Sequence, residues 1–237
     1  MNGRTRDGLP APEGGTVQLE VREGYDRWSA SYDETPNPVV ALDDRTSLGL
    51  LAARPGERIL DAGCGTGRHL GPLVACGAKV VGLDFSPGML RVARQKYPGV
   101  PLVCVDLSAP WPLCPARFHA VLCALVGEHL RDLPAFFAET RRALRPGGRL
   151  LLSVYHPELA RAGVEANFRR DGVEYRLGAE QHTVESYQQA LRGAGLELGR
   201  TTEVMGDEAL LGRAPSARKY VGRPLLLCLE AFTAPAS

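Results

Sequence analysis

The sequence predicts an α/β domain built on a doubly wound, largely parallel sheet, and three observations predict it. A short apolar run ending in Asp61 breaks into glycines at alternate positions, Gly63, Gly65 and Gly67, ahead of a helix-compatible stretch at 68–75. A strand, a glycine turn and a helix form the first unit of such a fold. A second apolar strand at 79–83 again ends in an acid, Asp84. Beyond it, strand-like runs and helical periods alternate through the chain, the pattern of β–α–β crossovers that cover both faces of a sheet.

Taken in order, residues 1–16 are rich in Gly, Pro and charge and read as a flexible tail. Val17, Leu19 and Val21 alternate over too short a run to assign a strand. Tyr25, Trp28 and Tyr32 fall at i, i+3 and i+7 of a helix over 23–34, which Pro36 and Pro38 stop. A second helix follows over 39–53 on Val40, Leu48 and Leu51, and Pro55-Gly56 turns the chain into the first strand. Ser86 reads as an N-cap with Pro87 at the first helical position, opening a helix to Lys96. Residues 100–105 are a buried-strand run, 108–117 a proline-rich loop and 118–125 the fourth strand. Asp132 and Pro134 open a helix that turns Leu133, Phe136, Phe137 and Leu144 to the sheet; Pro146-Gly147-Gly148 ends it, and 149–155 is the fifth strand. Residues 156–182 lack a clear period and are too long for an ordinary connection, which predicts a lid. Thr183 caps a helix with Val184, Tyr187, Leu191 and Ala194 on one face, and 196–205 and 225–232 are the last two strands.

Length suits one domain over 17–237, with 23–53 as a helical cap and 156–182 as a lid insertion. The net charge of +1 supplies no general drive toward nucleic acid or an anionic membrane. The six cysteines form no C-x-x-C pair and no Cys/His metal spacing, so reduced, structural cysteines and no metal are expected. No apolar run has signal-peptide or bilayer-spanning length, which makes a cytoplasmic protein the expectation. A monomer or homodimer is expected.

The glycine loop carries the functional argument. A dinucleotide fingerprint needs a third glycine where this chain has Arg68, so a pyrophosphate-binding loop loses its key residue. Asp84 remains placed to accept hydrogen bonds from the ribose hydroxyls of a nucleoside. Four segments, Asp61-Ala-Gly-Cys-Gly-Thr-Gly67, Gly82-Leu-Asp84-Phe-Ser-Pro-Gly-Met-Leu90, Cys104-Val-Asp106-Leu107 and Leu144-Arg-Pro-Gly-Gly-Arg-Leu150, resemble in order and spacing the motifs of class I S-adenosylmethionine-dependent methyltransferases. The resemblance covers roughly residues 57–155, and the nearest subgroup is similar to the small-molecule enzymes of quinone biosynthesis.

That resemblance implies a seven-stranded sheet of order 3-2-1-4-5-7-6 with strand 7 antiparallel, and S-adenosylmethionine at the glycine loop under the N-terminal helical pair. It implies Asp84 on the ribose, and Asp106 on the adenine amine with the Leu107 N–H beside it. Phe85 and Met89 would sandwich the ring. Asp61, Gly63 and Gly65 would lie along the amino-acid end, whose ammonium also meets a carbonyl of Cys123 or Ala124, while Arg68 pairs with its carboxylate. Tyr25 and Tyr32 match tyrosines that close over the sulfonium, which an aromatic face attracts; plain core packing is the alternative for such a stripe.

Methyl transfer is an in-line displacement, and it needs a base only when the acceptor loses a proton. The candidate bases are His129, in Gly127-Glu-His-Leu130, and His156, in Tyr155-His-Pro157, with His182 as a third. Each is also readable as a structural histidine. Tyr155 and His156 would wall a substrate pocket beneath 23–53 and 156–182. The segment Cys123-Ala-Leu-Val126 lacks the Asn/Asp-Pro-Pro-aromatic motif of enzymes that methylate DNA bases or protein side-chain nitrogens. The expected activity is methyl transfer to a small molecule, O before N or C. A nicotinamide-dependent oxidoreductase and a non-catalytic S-adenosylmethionine binder are the alternatives.

Overall fold

The computed structural model describes residues 15–212 and 214–235. The N-terminal part holds β1 (Thr16–Gln18), α1 (Val21–Trp28) and α2 (Pro38–Leu51). The alternating core follows as β2 (Arg58–Ala62), α3 (Leu70–Ala75), β3 (Lys79–Asp84), α4 (Pro87–Lys96), β4 (Leu102–Cys104), β5 (Phe118–Ala124), α5 (Leu133–Ala143) and β6 (Leu144–Tyr155). The remainder is α6 (Pro157–Arg161), β7 (Asn167–Arg170), β8 (Val173–Arg176), α7 (Val184–Gly193), β9 (Glu197–Met205) and β10 (Pro224–Phe232).

The main sheet has the order β4-β3-β2-β5-β6-β10-β9. Only β10 runs antiparallel to its neighbours. Numbered along the chain, this is the expected 3-2-1-4-5-7-6. Side chains alternate across the central strands, as a sheet buried on both faces requires. Ala120 and Leu122 of β5 join Ile59, Leu42, Leu70 and Leu90 on one face. Val121 and Cys123 join Leu60, Phe136, Phe137, Tyr187 and Leu191 on the other. The three long core helices begin at side-chain caps: Ser86 accepts from Met89 N, Asp132 from Ala135 N, and Thr183 forms a capping box with Ser186. All six cysteines are free. Among the described residues no helix is long and apolar enough to cross a membrane.

Several expectations shift, each for a local reason. Pro38, read as a stop, instead opens α2: it sits at N1 behind Asn37, whose side chain accepts from Val39 N (2.9 Å) and Val40 N (3.2 Å). The first helix ends at Trp28, and Tyr32 belongs to a separate 3₁₀ turn at Tyr32–Glu34. The strand expected over 100–105 shortens to three residues because β4 is the sheet edge and none of the three is buried. Leu144 is a strand residue rather than the end of a helix. It pairs with Phe118, and a register shift between Phe118 and Ala120 absorbs the Pro-Gly-Gly segment.

The expected lid at 156–182 contains regular structure. Strands β7 and β8 form a hairpin whose turn residues Asp171 and Gly172 both have positive φ (52° and 78°). That Asp-Gly pair is the sequence signal for such a turn, a signal carried by residue type rather than by period. Strand β8 also pairs in parallel with β1, giving a three-stranded sheet β1-β8-β7. Val17 therefore lies in a strand, and Thr16 opens it; residues 1–14 of the expected tail lie outside the described residues. Trp28 stacks on Phe168 (5.2 Å between centroids) and Phe168 on Tyr175 (5.0 Å), which joins α1 to the hairpin through a small separate core.

Candidate active site

The site grows from the carboxyl end of β2. Gly63, Gly65 and Gly67 all have positive φ (86°, 53° and 88°), a region that costs other L-residues about 1–2 kcal/mol. The loop hooks over β3, with Gly63 N and Cys64 N both donating to Leu83 O at 2.8 Å. Asp84 then ties the loop to the start of α4: Oδ2 accepts from Gly65 N and Oδ1 from Ser86 N, each at 2.8 Å. A Cβ on Gly63 would lie 2.3 Å from Val126 Cγ2, whereas one on Gly65 meets nothing within 4 Å. Gly63→Ala is accordingly expected to lower the melting temperature by several degrees, at about 2–4 °C per kcal/mol for a chain of this size. Gly65→Ala should cost less than half as much. Equal melting temperatures for the two variants would show that loop closure against Val126 is not what demands Gly63.

One cavity opens above this loop. Tyr25, Tyr32, Asp61, Gly63, Gly65, Arg68, Asp84, Phe85, Met89, Asp106, Leu107 and His129 all line it. Cys123 does not: its side chain alternates into the core beneath the sheet, and Ala124 and Leu125 reach the cavity instead. His156 is also outside the lining. It caps α6, with Nδ1 accepting from Glu158 N (3.3 Å), and lies 3.7 Å from Glu203. Tyr155 hydrogen-bonds Asn37 Nδ2 (2.7 Å), and His182 Nε2 contacts Leu130 O (2.6 Å); neither lines the cavity.

Burial sets the electrostatics of the site. Asp61 is pushed up to about 7 by burial against the opposing Arg68 charge, and its Oδ2 has no hydrogen-bond partner. Asp84 is raised to about 6 by burial, with the Ser86 and Gly65 N–H groups pulling it back. At the other end, His129 Nε2 lies 2.9 Å from the Tyr25 hydroxyl, and burial lowers this histidine to about 4. It is a neutral imidazole at physiological pH, and its Nδ1 has no partner. Burial raises Tyr32 to about 12, so it stays a neutral phenol.

Sequence reasoning missed several groups here. Glu128, beside His129 but outside the cavity lining, is buried, raised to about 7 by burial, and has an unpartnered Oε2. Its charge is felt by Tyr25, Tyr32, Tyr155 and Tyr187. The cap is fastened to the loop by three acids that the sequence presents as ordinary helix-surface charges. Asp26 accepts from Ser86 Oγ (2.5 Å) and Gly88 N (2.8 Å), and Asp33 from Thr66 Oγ1 (2.6 Å) and Lys96 Nζ (2.8 Å). Asp43 binds Arg68 and His69.

The sheet order and a cavity at the switch point between β2 and β5 define a nucleoside-binding doubly wound fold. A methyltransferase-domain family model matches residues 60–152. The chain is 32% identical over 221 residues to an uncharacterized methyltransferase of Emericella nidulans, covering 76% of this chain and 77% of that one. It is 38% identical over 133 residues to a malonyl-[acyl-carrier protein] O-methyltransferase of Serratia marcescens, covering 56% of this chain and 51% of that one. It is 30% identical over 151 residues to a demethylmenaquinone methyltransferase of Tropheryma whipplei, covering 60% of this chain and 62% of that one. The last two matches therefore span only about half to three fifths of those relatives. An S-adenosylmethionine-dependent methyltransferase structure from Mesorhizobium loti superposes with a TM-score of 0.69 at 23% identity, over 83% of this chain and 100% of that one, a likeness of fold. The chain belongs to the class I S-adenosylmethionine-dependent methyltransferase family.

Proposed function

We propose that this protein transfers a methyl group from S-adenosylmethionine to a small-molecule acceptor, with oxygen favoured over nitrogen or carbon as the atom methylated. The observation that carries the reading is a cavity in which a buried Asp61 carboxylate with an unpartnered Oδ2, the Asp84-tethered glycine loop and the Tyr25–His129 pair meet. When bound, the cofactor supplies an electrophilic methyl on a sulfonium. Asp84 would take the ribose hydroxyls, Asp106 and the Leu107 N–H the adenine edge, and Phe85 and Met89 its faces. Asp61 would hold the ammonium and Arg68 the carboxylate end. The faces of Tyr25 and Tyr32 suit a neighbouring cation. Holding donor and acceptor in line is worth up to roughly 7–11 kcal/mol.

The unprotonated imidazole at the Tyr25 end of the cavity favours a hydroxyl acceptor. His129 lines the cavity as an uncharged imidazole; Glu128, next to it in the chain, stands behind the lining with its carboxyl raised to about 7, near the value suited to a general base at neutral pH. The relatives' named acceptors differ, a malonyl-[acyl-carrier protein] in one and demethylmenaquinone in another. The proposal is of a cytoplasmic protein, monomer or homodimer, acting on small molecules rather than nucleic acid or membrane.

Calorimetric titration with S-adenosylhomocysteine, alongside NADH, tests the cofactor: micromolar binding of the first alone is expected, and its absence overturns the reading. Labelled-methyl transfer to phenols, carboxylic acids, amines and thiols then identifies the acceptor. His129→Gln and Glu128→Gln are expected to leave S-adenosylhomocysteine affinity intact, and the true base to show kcat lower by about 10²–10⁴-fold. Unchanged kcat in both variants would mean the acceptor needs no base from this pair.

A further inference from the structure

Asp43 lies on α2 with no exposed surface, and it does not line the cofactor cavity. Its carboxylate nevertheless gathers four donors. Oδ1 accepts from Ser47 Oγ and from Ser153 Oγ (2.5 Å), while Oδ2 meets His69 Nε2 (3.0 Å) and Arg68 Nη2 (2.7 Å). Arg68 Nη1 is held in turn by Asp44 at 2.6 Å. The cap helix, strand β6 and the segment just past the glycine loop thus meet on one buried group, where pairing offsets the cost of taking charge out of water.

The consequence for the cavity lies in what remains unpaired. The proton of His69 sits on Nε2, facing Asp43, and burial together with the Arg68 charge keeps the ring from taking a second one. Nδ1 is left as a bare acceptor, without a partner, on a ring that lines the cavity. Asp61 Oδ2, in the same cavity, is likewise a buried acceptor without a partner. The positive charge of Arg68 is already matched by Asp43 and Asp44. This end of the cavity therefore favours a cation that brings N–H donors.

We propose that Asp43 is a positioning residue for the amino-acid end of the cofactor: by fixing the His69 tautomer and anchoring Arg68, it makes Asp61 Oδ2 and His69 Nδ1 a paired acceptor for the ammonium group. The inference rests on the reading of the cavity as an S-adenosylmethionine site, and the test separates the two.

S-Adenosylhomocysteine carries the ammonium; 5′-methylthioadenosine has the same nucleoside and no amino-acid end. Calorimetry of both ligands on the full chain is expected to show Asp43→Asn binding S-adenosylhomocysteine about tenfold or more weakly, with 5′-methylthioadenosine affinity unchanged. His69→Phe, which keeps a ring and removes both nitrogens, should give the same selective loss, and it decides the matter if Asp43→Asn does not fold. Equal weakening of both ligands, or no weakening of either, in a folded variant overturns the positioning role and makes the cluster plain core. An unsubstituted protein that binds neither ligand overturns the reading of the cavity, and this inference with it.

Discussion

Asp84→Ala is expected to abolish measurable S-adenosylhomocysteine binding, a loss of about a thousandfold or more. The carboxylate does two jobs that alanine leaves undone. It satisfies Gly65 N and Ser86 N, both at 2.8 Å, and so fixes the glycine loop against the first turn of α4. Leaving two such N–H groups without an acceptor costs about 1–3 kcal/mol each where water cannot replace it. The same group is the ribose acceptor in the proposed complex, and charge-assisted bonds to it are worth about 1.5–3 kcal/mol more. Two such bonds, together about 4 kcal/mol, account for about a thousandfold in affinity. Asp84→Asn keeps one acceptor oxygen and should fall between the two. Calorimetry reads affinity, and a thermal melt of the free protein reads the loop's share. Full binding by Asp84→Ala would overturn the placement of the ribose, whatever the fold.

The parts of the site that local sequence reveals are those made by neighbours in the chain. The glycine loop, Asp84 and the Ser86 cap all lie within 30 residues of Asp61, and their geometry follows from backbone rules that a motif encodes. The cap fasteners do not. Asp43 meets His69 across 26 positions, Asp33 meets Thr66 across 33, Asp26 meets Ser86 across 60, and Tyr25 meets His129 across 104. Nothing in helical periodicity distinguishes an acid that faces solvent from one that faces another loop's N–H group. His156 shows the converse. A histidine directly after a strand is a natural candidate base, yet the turn that follows uses its ring as a cap for Glu158 N. What sets Glu128 apart is burial, which its position beside a candidate histidine does not announce.

Burial of those acids also gives the protein an expected pH signature with two opposite slopes. Asp61 and Glu128 are raised to about 7 and Asp84 to about 6, each chiefly by burial. Between the ordinary carboxylate range near pH 4 and those values, the folded chain holds more protons than the unfolded chain. Stability of the free protein should therefore fall as pH rises from about 4 to 7, by up to about 1.4 kcal/mol per pH unit for each group, and level off above that. Cofactor affinity should run the other way. An ammonium beside Asp61 and ribose hydroxyls beside Asp84 both favour the ionised acids, so S-adenosylhomocysteine binding should strengthen on the order of a hundredfold between about pH 5 and pH 8, with release of protons. Urea melts of the free protein give the first slope, and calorimetry in buffers of different ionisation enthalpy gives the second. Asp61→Asn should flatten the upper part of the affinity curve, while Glu128→Gln should flatten only the stability curve, because Glu128 does not line the cavity. Affinity that does not change with pH would mean that neither acid changes its proton on binding, and would remove the ammonium from Asp61.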